Sequence, residues 1–179
     1  MENLNAAMRY AKAFFPIAKD SKNLDGILKD LEHVCDLMTT SSDFKMLLYS
    51  PIISNSKKEK IFEEIFKNKI SELTFDFILL LIVKGREKLL KEIYQCFKIL
   101  YNEEVGLVPF IVYTAKDLTN DAKAKINEFV ANHTKLKPLP EYIIDKSVIG
   151  GMKIKIDDWV YDATIHNQLK KLKETLIYG

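Results

Sequence analysis

The stretch Asp145-Lys-Ser-Val-Ile-Gly-Gly-Met-Lys-Ile-Lys-Ile-Asp-Asp-Trp-Val-Tyr-Asp162 joins a glycine pair to an alternating strand, a tight turn and the start of a helix. Met152, Ile154 and Ile156 alternate with Lys153 and Lys155, the period of two expected when one sheet face is buried and the other is wet. Asp157-Asp158 predicts a tight turn, and Trp159-Val160-Tyr161 the return strand. Asp162 is placed as an N-cap, since its carboxylate can accept from the orphan N–H groups of a helix start. The apolar positions Ile165, Leu169, Leu172 and Leu176 follow at spacings of four, three and four.

Upstream of this stretch, Leu107 to Ala115 predicts a strand, with Pro109 restricting it to an edge or to a strand start. Leu118-Thr119 opens a helix carrying Ala122, Ile126, Phe129 and Val130, and Tyr142 to Ile144 begins another strand. Together these elements make a small α/β module of about 70 residues, marginal alone by size. Earlier in the chain, from Asn3 to Glu104, the pattern is helical throughout, with Pro16 and Pro51 as breakers. Six helices fit, at 3–19, 22–38, 42–49, 55–67, 70–84 and 86–104. Leu24, Ile27, Leu28, Leu31, Val34, Cys35 and Met38 give the second of them a stripe at spacings of three and four. Ser50-Pro51 marks a boundary, because the residue before proline is pushed out of the α region. Ser56 with Glu59 predicts a capping box, and Gly85 a left-handed helix end. The fold class is therefore mainly α: an N-terminal six-helix bundle over 1–105, followed by a small α/β C-terminal module over 106–179.

An apolar content of 47% suffices for a packed core. Charge is balanced along the chain, with 16 basic and 16 acidic residues up to Glu104 and 11 and 9 after it. Neither half has the lopsided charge of a nucleic-acid binder. The longest apolar run, Phe77 to Val83, is far short of the about 20 residues that a membrane span needs, so no direct bilayer insertion is expected. The N-terminal residues have neither signal-peptide nor transit-peptide character, which leads to the expectation of a chain that works in the cytoplasm, where it is made.

Sites of chemistry are scarce. Gly150-Gly151 lacks the GxGxxG spacing, the following helix and the Lys-Ser/Thr pair of a phosphate loop, and predicts a bulge or a close backbone approach. Asp157, Asp158 and Asp162 have neither EF-hand spacing nor its closing Glu, so turn and cap are favoured over a cation site. His33, His133 and His166 are scattered. Cys35 and Cys96 sit at helical apolar positions and predict two reduced core thiols. No nucleophile elbow, paired His-Glu motif or Walker sequence is present. No catalytic residue, cofactor site or metal site is assigned.

The first helix carries more information. At 100° per residue its apolar side chains run from Ala13 through Ala6, Ile17, Tyr10, Phe14, Ala7, Ala18, Ala11, Leu4 and Phe15 to Met8, an arc of about 220° where one core contact needs only about 100°. The fifth helix is apolar all round between Phe77 and Val83. Either both helices are central in a crowded bundle, or each has a core face and a second face that forms a groove for a partner helix.

Four separated motifs give that groove a context. Arg9-Tyr10-Ala11-Lys12-Ala13-Phe14, then Leu47-Leu48 with Pro51-Ile52 and Lys60-Ile61-Phe62, then Lys84-Gly85-Arg86, and finally the stretch from Asp145 to Asp162, resemble in order the delta subunit family of F-type ATP synthases, known in mitochondria as the oligomycin-sensitivity-conferring protein. Of the 27 basic residues only Arg9 and Arg86 are arginines, and both fall inside those motifs. Trp159 departs from the resemblance, being bulkier than its hairpin position leads one to expect.

The resemblance implies a non-catalytic stator connector that holds the catalytic head still during proton-driven ATP synthesis, peripheral on the cytoplasmic face of a bacterial inner membrane. It implies that the N-terminal domain grips the N-terminal helix of an alpha subunit, through Ala6, Tyr10, Ala13 and Ile17 of the first helix and Phe75, Ile78, Leu79 and Ile82 of the fifth. Phe77, Leu80 and Leu81 are left to the core. It further implies that the C-terminal module holds the end of the b subunit; Ile165, Leu169 and Leu172 are named for that contact, though they suit an internal core equally. The rival reading is an all-helical RNA-binding or antitermination-type adaptor, which requires a basic stripe with arginine and aromatic residues, and the balanced first half counts against it. A small enzyme would need a convergent polar site, and none is found.

Overall fold

A computed structural model of the protein describes residues 2–178. In chain order the elements are α1 (Glu2–Asp20), α2 (Leu24–Thr40), α3 (Ser42–Tyr49), α4 (Asn55–Phe66), α5 (Glu72–Val83), a 3-10 turn (Glu87–Leu89), α6 (Leu90–Val105), β1 (Leu107–Thr114), α7 (Asn120–Thr134), β2 (Lys137–Ile144), a second 3-10 turn (Lys146–Val148), β3 (Met152–Ile156), β4 (Trp159–Asp162) and α8 (Ile165–Tyr178). The chain is mainly helical, with a small four-stranded sheet near its C-terminus. Its contacts gather into two compact units, Met1–Tyr101 and Asn102–Gly179. That division falls within α6, whereas the change of sequence pattern lies at the end of the helix.

In the first unit, α1 buries Ala7, Ala11, Phe14 and Ala18, the middle of its wide apolar arc. Three of the four are alanines, so neighbouring helices can approach closely, and Phe14 fills the space between them. Its ring stacks on Phe77 of α5, with centroids 3.9 Å apart and planes at 4°, and lies 5.7 Å from Phe97 of α6. Ile27, Leu31, Val34, Cys35 and Met38 of α2 are buried, as their spacing predicts. A second aromatic group, Phe44, Phe62 and Phe66, joins α3 to α4.

The end of α5 follows the predicted chemistry and the start of α4 departs from it. Gly85 ends α5 at φ +62. Its N–H donates to the Ile82 carbonyl and the Arg86 N–H to the Leu81 carbonyl, the paired bonds of a Schellman ending. The predicted capping box of Ser56 and Glu59 does not form: α4 begins at Asn55 after Ser54, so Ser56 is already inside the helix, and its hydroxyl lies 3.3 Å from that of Ser54.

Cys35 and Cys96 are free thiols in the core. Burial, with the charge of Asp36 next in size, pushes the Cys35 thiol up from 9.0 to about 12. The folded state therefore keeps a proton that the unfolded chain releases, so stability from this site is complete below about pH 9 and declines as pH rises toward 12. The unfolding midpoint should fall between pH 9 and 11, and Cys35→Ala should flatten part of that fall; an identical pH profile in the variant would show that the thiol does not contribute.

In the second unit the strand order is β2-β1-β3-β4, with β1 parallel to β2 and antiparallel to β3. Val108, Phe110 and Val112 of β1, Ile154 and Ile156 of β3, and Ile126 and Val130 of α7 form the core. Pro109 lies near the start of a central strand, the second of the two expected places, and is tolerated there because β3 pairs with β1 only from Ile111 onward. β2 starts at Lys137, earlier than the predicted Tyr142, and includes Pro138 and Pro140. The Lys137 N–H points inward to the Gly106 carbonyl, 2.8 Å away, so the two prolines stand where the alternating donors of an edge strand face outward.

The hairpin forms as the alternation predicts: Ile156 pairs with Trp159, and Asp157 takes a positive φ of 45° in the two-residue turn. The glycine pair is a close approach. A Cβ on Gly151, which has φ +76, would lie 2.3 Å from the Ala163 carbonyl oxygen. Gly151→Ala should therefore destabilise the C-terminal unit by about 3 kcal/mol, strain and overpacking together. Circular-dichroism melting checks this, and an unchanged transition would contradict the packing. The α8 cap differs from prediction: Thr164 is the N-cap, its hydroxyl accepting from the Asn167 N–H at 3.1 Å. Asp162 acts one step back, its Oδ1 accepting from both the N–H and the hydroxyl of Thr164.

Candidate functional site

One flank of α1 opens onto a groove of about 520 Å3 lined by Asn3, Ala6, Arg9, Tyr10, Ala13, Arg86 and Leu89. Ala6 and Tyr10 are half-buried and Ala13 is exposed, so the flank lies beside the core without belonging to it. The opposite wall comes from the turn after α5. The Gly85 ending reverses the chain there, and Arg86 and Leu89 flank and close the 3-10 turn that follows. The lining is mixed, two alanines, a tyrosine and a leucine with Asn3 and two arginines, and more polar than apolar, which fits an amphipathic helix carrying acidic residues beside its apolar face.

The residues named from sequence divide unevenly over this geometry. Ala6, Tyr10 and Ala13 line the groove; Ile17 shares their flank, 55% exposed, without lining it. Ile78 and Ile82 do not belong to a partner face: they are 1% and 0% exposed and part of the core. Leu80, left to the core, is 47% exposed. Phe75 and Leu79 are half-buried against the core and lie outside the groove.

A helix apolar all round has no phase in its own hydrophobic pattern, and this is why the allotment on α5 failed. The phase is visible in its polar residues. Glu72 and Asp76 are exposed, and continuing their spacing reaches Leu80 and Val83, both exposed. Thr74 is buried on the opposite side, its hydroxyl 2.8 Å from that of Ser71. Arg9, Arg86, Leu89 and Asn3 were missed as groove residues, and the signal available for the arginines was their rarity in a chain of 25 lysines.

The C-terminal unit carries a second concave surface of about 450 Å3 between α7 and the β3–β4 hairpin, where Leu118, Ile126, Phe129, Met152 and Tyr161 meet. Aromatic rings border it: His133 lies 5.0 Å from Trp159, and Phe129 lies 5.7 Å from Tyr161. Trp159 is thus accommodated on the surface by stacking rather than by burial. Ile165, Leu169 and Leu172 of α8 are 43%, 54% and 57% exposed, and Leu176 is 78% exposed. The α/β core forms without them, so the internal-core reading of these residues is replaced by an exposed apolar stripe.

Among the described residues no group of three or more His, Cys, Asp or Glu side chains is arranged to hold a metal ion, and no helix is long and apolar enough to cross a membrane. Residues 6–176 match the model of the family described as ATP synthase delta (OSCP) subunit. The chain belongs to that family.

Its relatives agree over full length. ATP synthase subunit delta of Alkalihalophilus pseudofirmus is 33% identical over 180 residues, covering 100% of this chain and 99% of the relative. ATP synthase subunit delta of Clostridium botulinum strain Loch Maree is 33% identical over 169 residues, 94% of each chain. Among solved structures, a chain of the Toxoplasma gondii mitochondrial ATP synthase hexamer has the same fold, with a TM-score of 0.72, 21% identity and coverage of 97% of this chain and 98% of that one. As a delta-family protein the chain is a component of the peripheral stalk of ATP synthase.

Proposed function

We propose that this delta-family chain is a non-catalytic stator connector, peripheral on the cytoplasmic face of a bacterial inner membrane. A six-helix bundle, residues 1–105, receives the N-terminal helix of an alpha subunit, and an α/β module, residues 106–179, receives the C-terminal end of the b subunit. The observation that carries this reading is the α1 groove, in which Ala6, Tyr10 and Ala13 face Arg86 and Leu89. Its dimensions and chemistry suit one amphipathic helix and offer no nucleophile, general base or phosphate loop. The mechanism is mechanical: two interfaces closed in series transmit a restraining force, and nanomolar contacts of about −12 kcal/mol each would hold under load. On this reading Ala6, Tyr10 and Ala13 contact the alpha-subunit helix, while Ile165, Leu169 and Leu172 contact the b subunit through the exposed stripe of α8.

Titration calorimetry of the whole chain with a synthetic alpha-subunit N-terminal helix, and separately with a C-terminal b-subunit fragment, tests both halves. Saturable binding of each at one-to-one stoichiometry is expected. Failure of both peptides to bind, or saturable binding of Mg-ATP or RNA instead, would overturn the reading.

A further inference from the structure

The 3-10 turn Glu87–Leu89, which builds one wall of the α1 groove, is a single turn and cannot fix its own place through backbone bonds alone. It is anchored from beneath. Lys58 of α4 and Glu87 of the turn are both 3% exposed. The Lys58 ammonium donates to Glu87 Oε1 at 2.6 Å and to the Leu48 carbonyl at 2.8 Å. Leu48 lies in the last turn of α3, where carbonyls lack partners within the helix. One ammonium thus ties together the end of α3, the start of α4 and the turn that carries the groove wall.

As a source of stability this arrangement is poor. Two charges have been withdrawn from water, and the second Glu87 oxygen, Oε2, is buried without a hydrogen-bond partner. A matched apolar pair is often as stable as a buried ion pair or more so, because it avoids that desolvation. What apolar side chains do not supply is direction: contacts between them tolerate sliding, whereas an ammonium held by a carboxylate and a carbonyl has one geometry. The pair sits where direction matters, next to Arg86 and two residues from Leu89, both of which line the groove.

We propose that Lys58 and Glu87 are positioning residues for the docking groove, holding the 3-10 turn so that Arg86 and Leu89 stand opposite Ala6, Tyr10 and Ala13. The proposal rests on the reading of that groove as the seat of a partner helix. The double substitution K58M/E87M in the full chain replaces the pair by apolar side chains of similar length. Its unfolding midpoint should be unchanged or raised. Amide hydrogen exchange should quicken at least tenfold at Leu89 and Leu90, whose N–H groups donate to the Arg86 and Glu87 carbonyls, and stay at wild-type rates in α1 and α2. Affinity for the alpha-subunit helix peptide should fall at least tenfold.

Wild-type exchange and affinity in the folded double variant would overturn the proposal. So would a lowered midpoint with exchange accelerated equally throughout the helical unit, because the pair would then merely hold the core together. If the double variant does not fold, K58M, which removes the ammonium that joins Glu87 to the Leu48 carbonyl, replaces it: local quickening at Leu89 and Leu90 supports the proposal and wild-type exchange there overturns it. Should the wild-type chain ignore the peptide, the docking reading falls, and the exchange comparison decides the positioning claim by itself.

Discussion

Ala13→Glu is expected to weaken binding of the alpha-subunit helix peptide at least a hundredfold, about 2.7 kcal/mol, while leaving the fold in place. Ala13 is exposed on the groove flank, outside the buried set Ala7, Ala11, Phe14 and Ala18. A glutamate there extends into space that an incoming helix must occupy. It also brings a carboxylate one helical turn from Arg9 and across from Arg86, so the two cations would turn inward rather than toward a partner. Desolvating that new charge beneath a docked helix would cost several kcal/mol unless it stays paired. The fold has little reason to respond, because an exposed Ala→Glu change loses only about a few tenths of a kcal/mol in helix propensity. Calorimetry with the peptide and thermal unfolding, run side by side, check the two halves. Undiminished affinity would show that this flank is not the docking surface, and an unfolded variant would show that Ala13 supports the core.

Phe14→Ala should act in the opposite way, through the fold. The ring is 3% exposed, stacked at 3.9 Å on Phe77 and near Phe97, so it joins α1 to α5 and α6 at one point. The other buried positions on α1 are alanines, which cannot swell to fill the void. Truncation should therefore cost about 3–5 kcal/mol, the range for a buried phenylalanine. For a unit of this size that corresponds to a fall of about 15 °C or more in the unfolding midpoint. Scanning calorimetry gives the number directly, and a shift of only a few degrees would mean that the neighbours close over the cavity.

The sequence was legible where side-chain periodicity and backbone chemistry agree. The β3–β4 hairpin follows from five alternating residues and an Asp-Asp turn, and the end of α5 follows from a glycine whose left-handed conformation other residues resist. The α1 flank was legible because Asn5, Arg9 and Lys12 mark the polar face and so fix the phase of the apolar arc. On α5 no such contrast exists between Phe77 and Val83, and only the flanking Glu72 and Asp76 could have set the phase. The start of β2 at Lys137, upstream of Tyr142, is hard to see in the sequence because Pro138 and Pro140 oppose a strand in general, although not at the outer rim of a sheet. The far wall of the groove was invisible for a different reason. Arg86 and Leu89 are brought to α1 by tertiary packing of a 3-10 turn, and a buried Lys58–Glu87 pair separated by 29 positions leaves no local mark.

Those two prolines on β2 have a consequence for how copies of the chain behave before assembly. A sheet rim with free outward N–H groups is a template on which another chain can add a strand, and growth of that kind has no natural end. Here two outward positions of β2 carry no hydrogen to give, and on the other rim β4 is only four residues long. Main-chain pairing is blunted along both margins, so recruitment to the C-terminal unit is left to side chains, which can discriminate among partners as a bare backbone cannot.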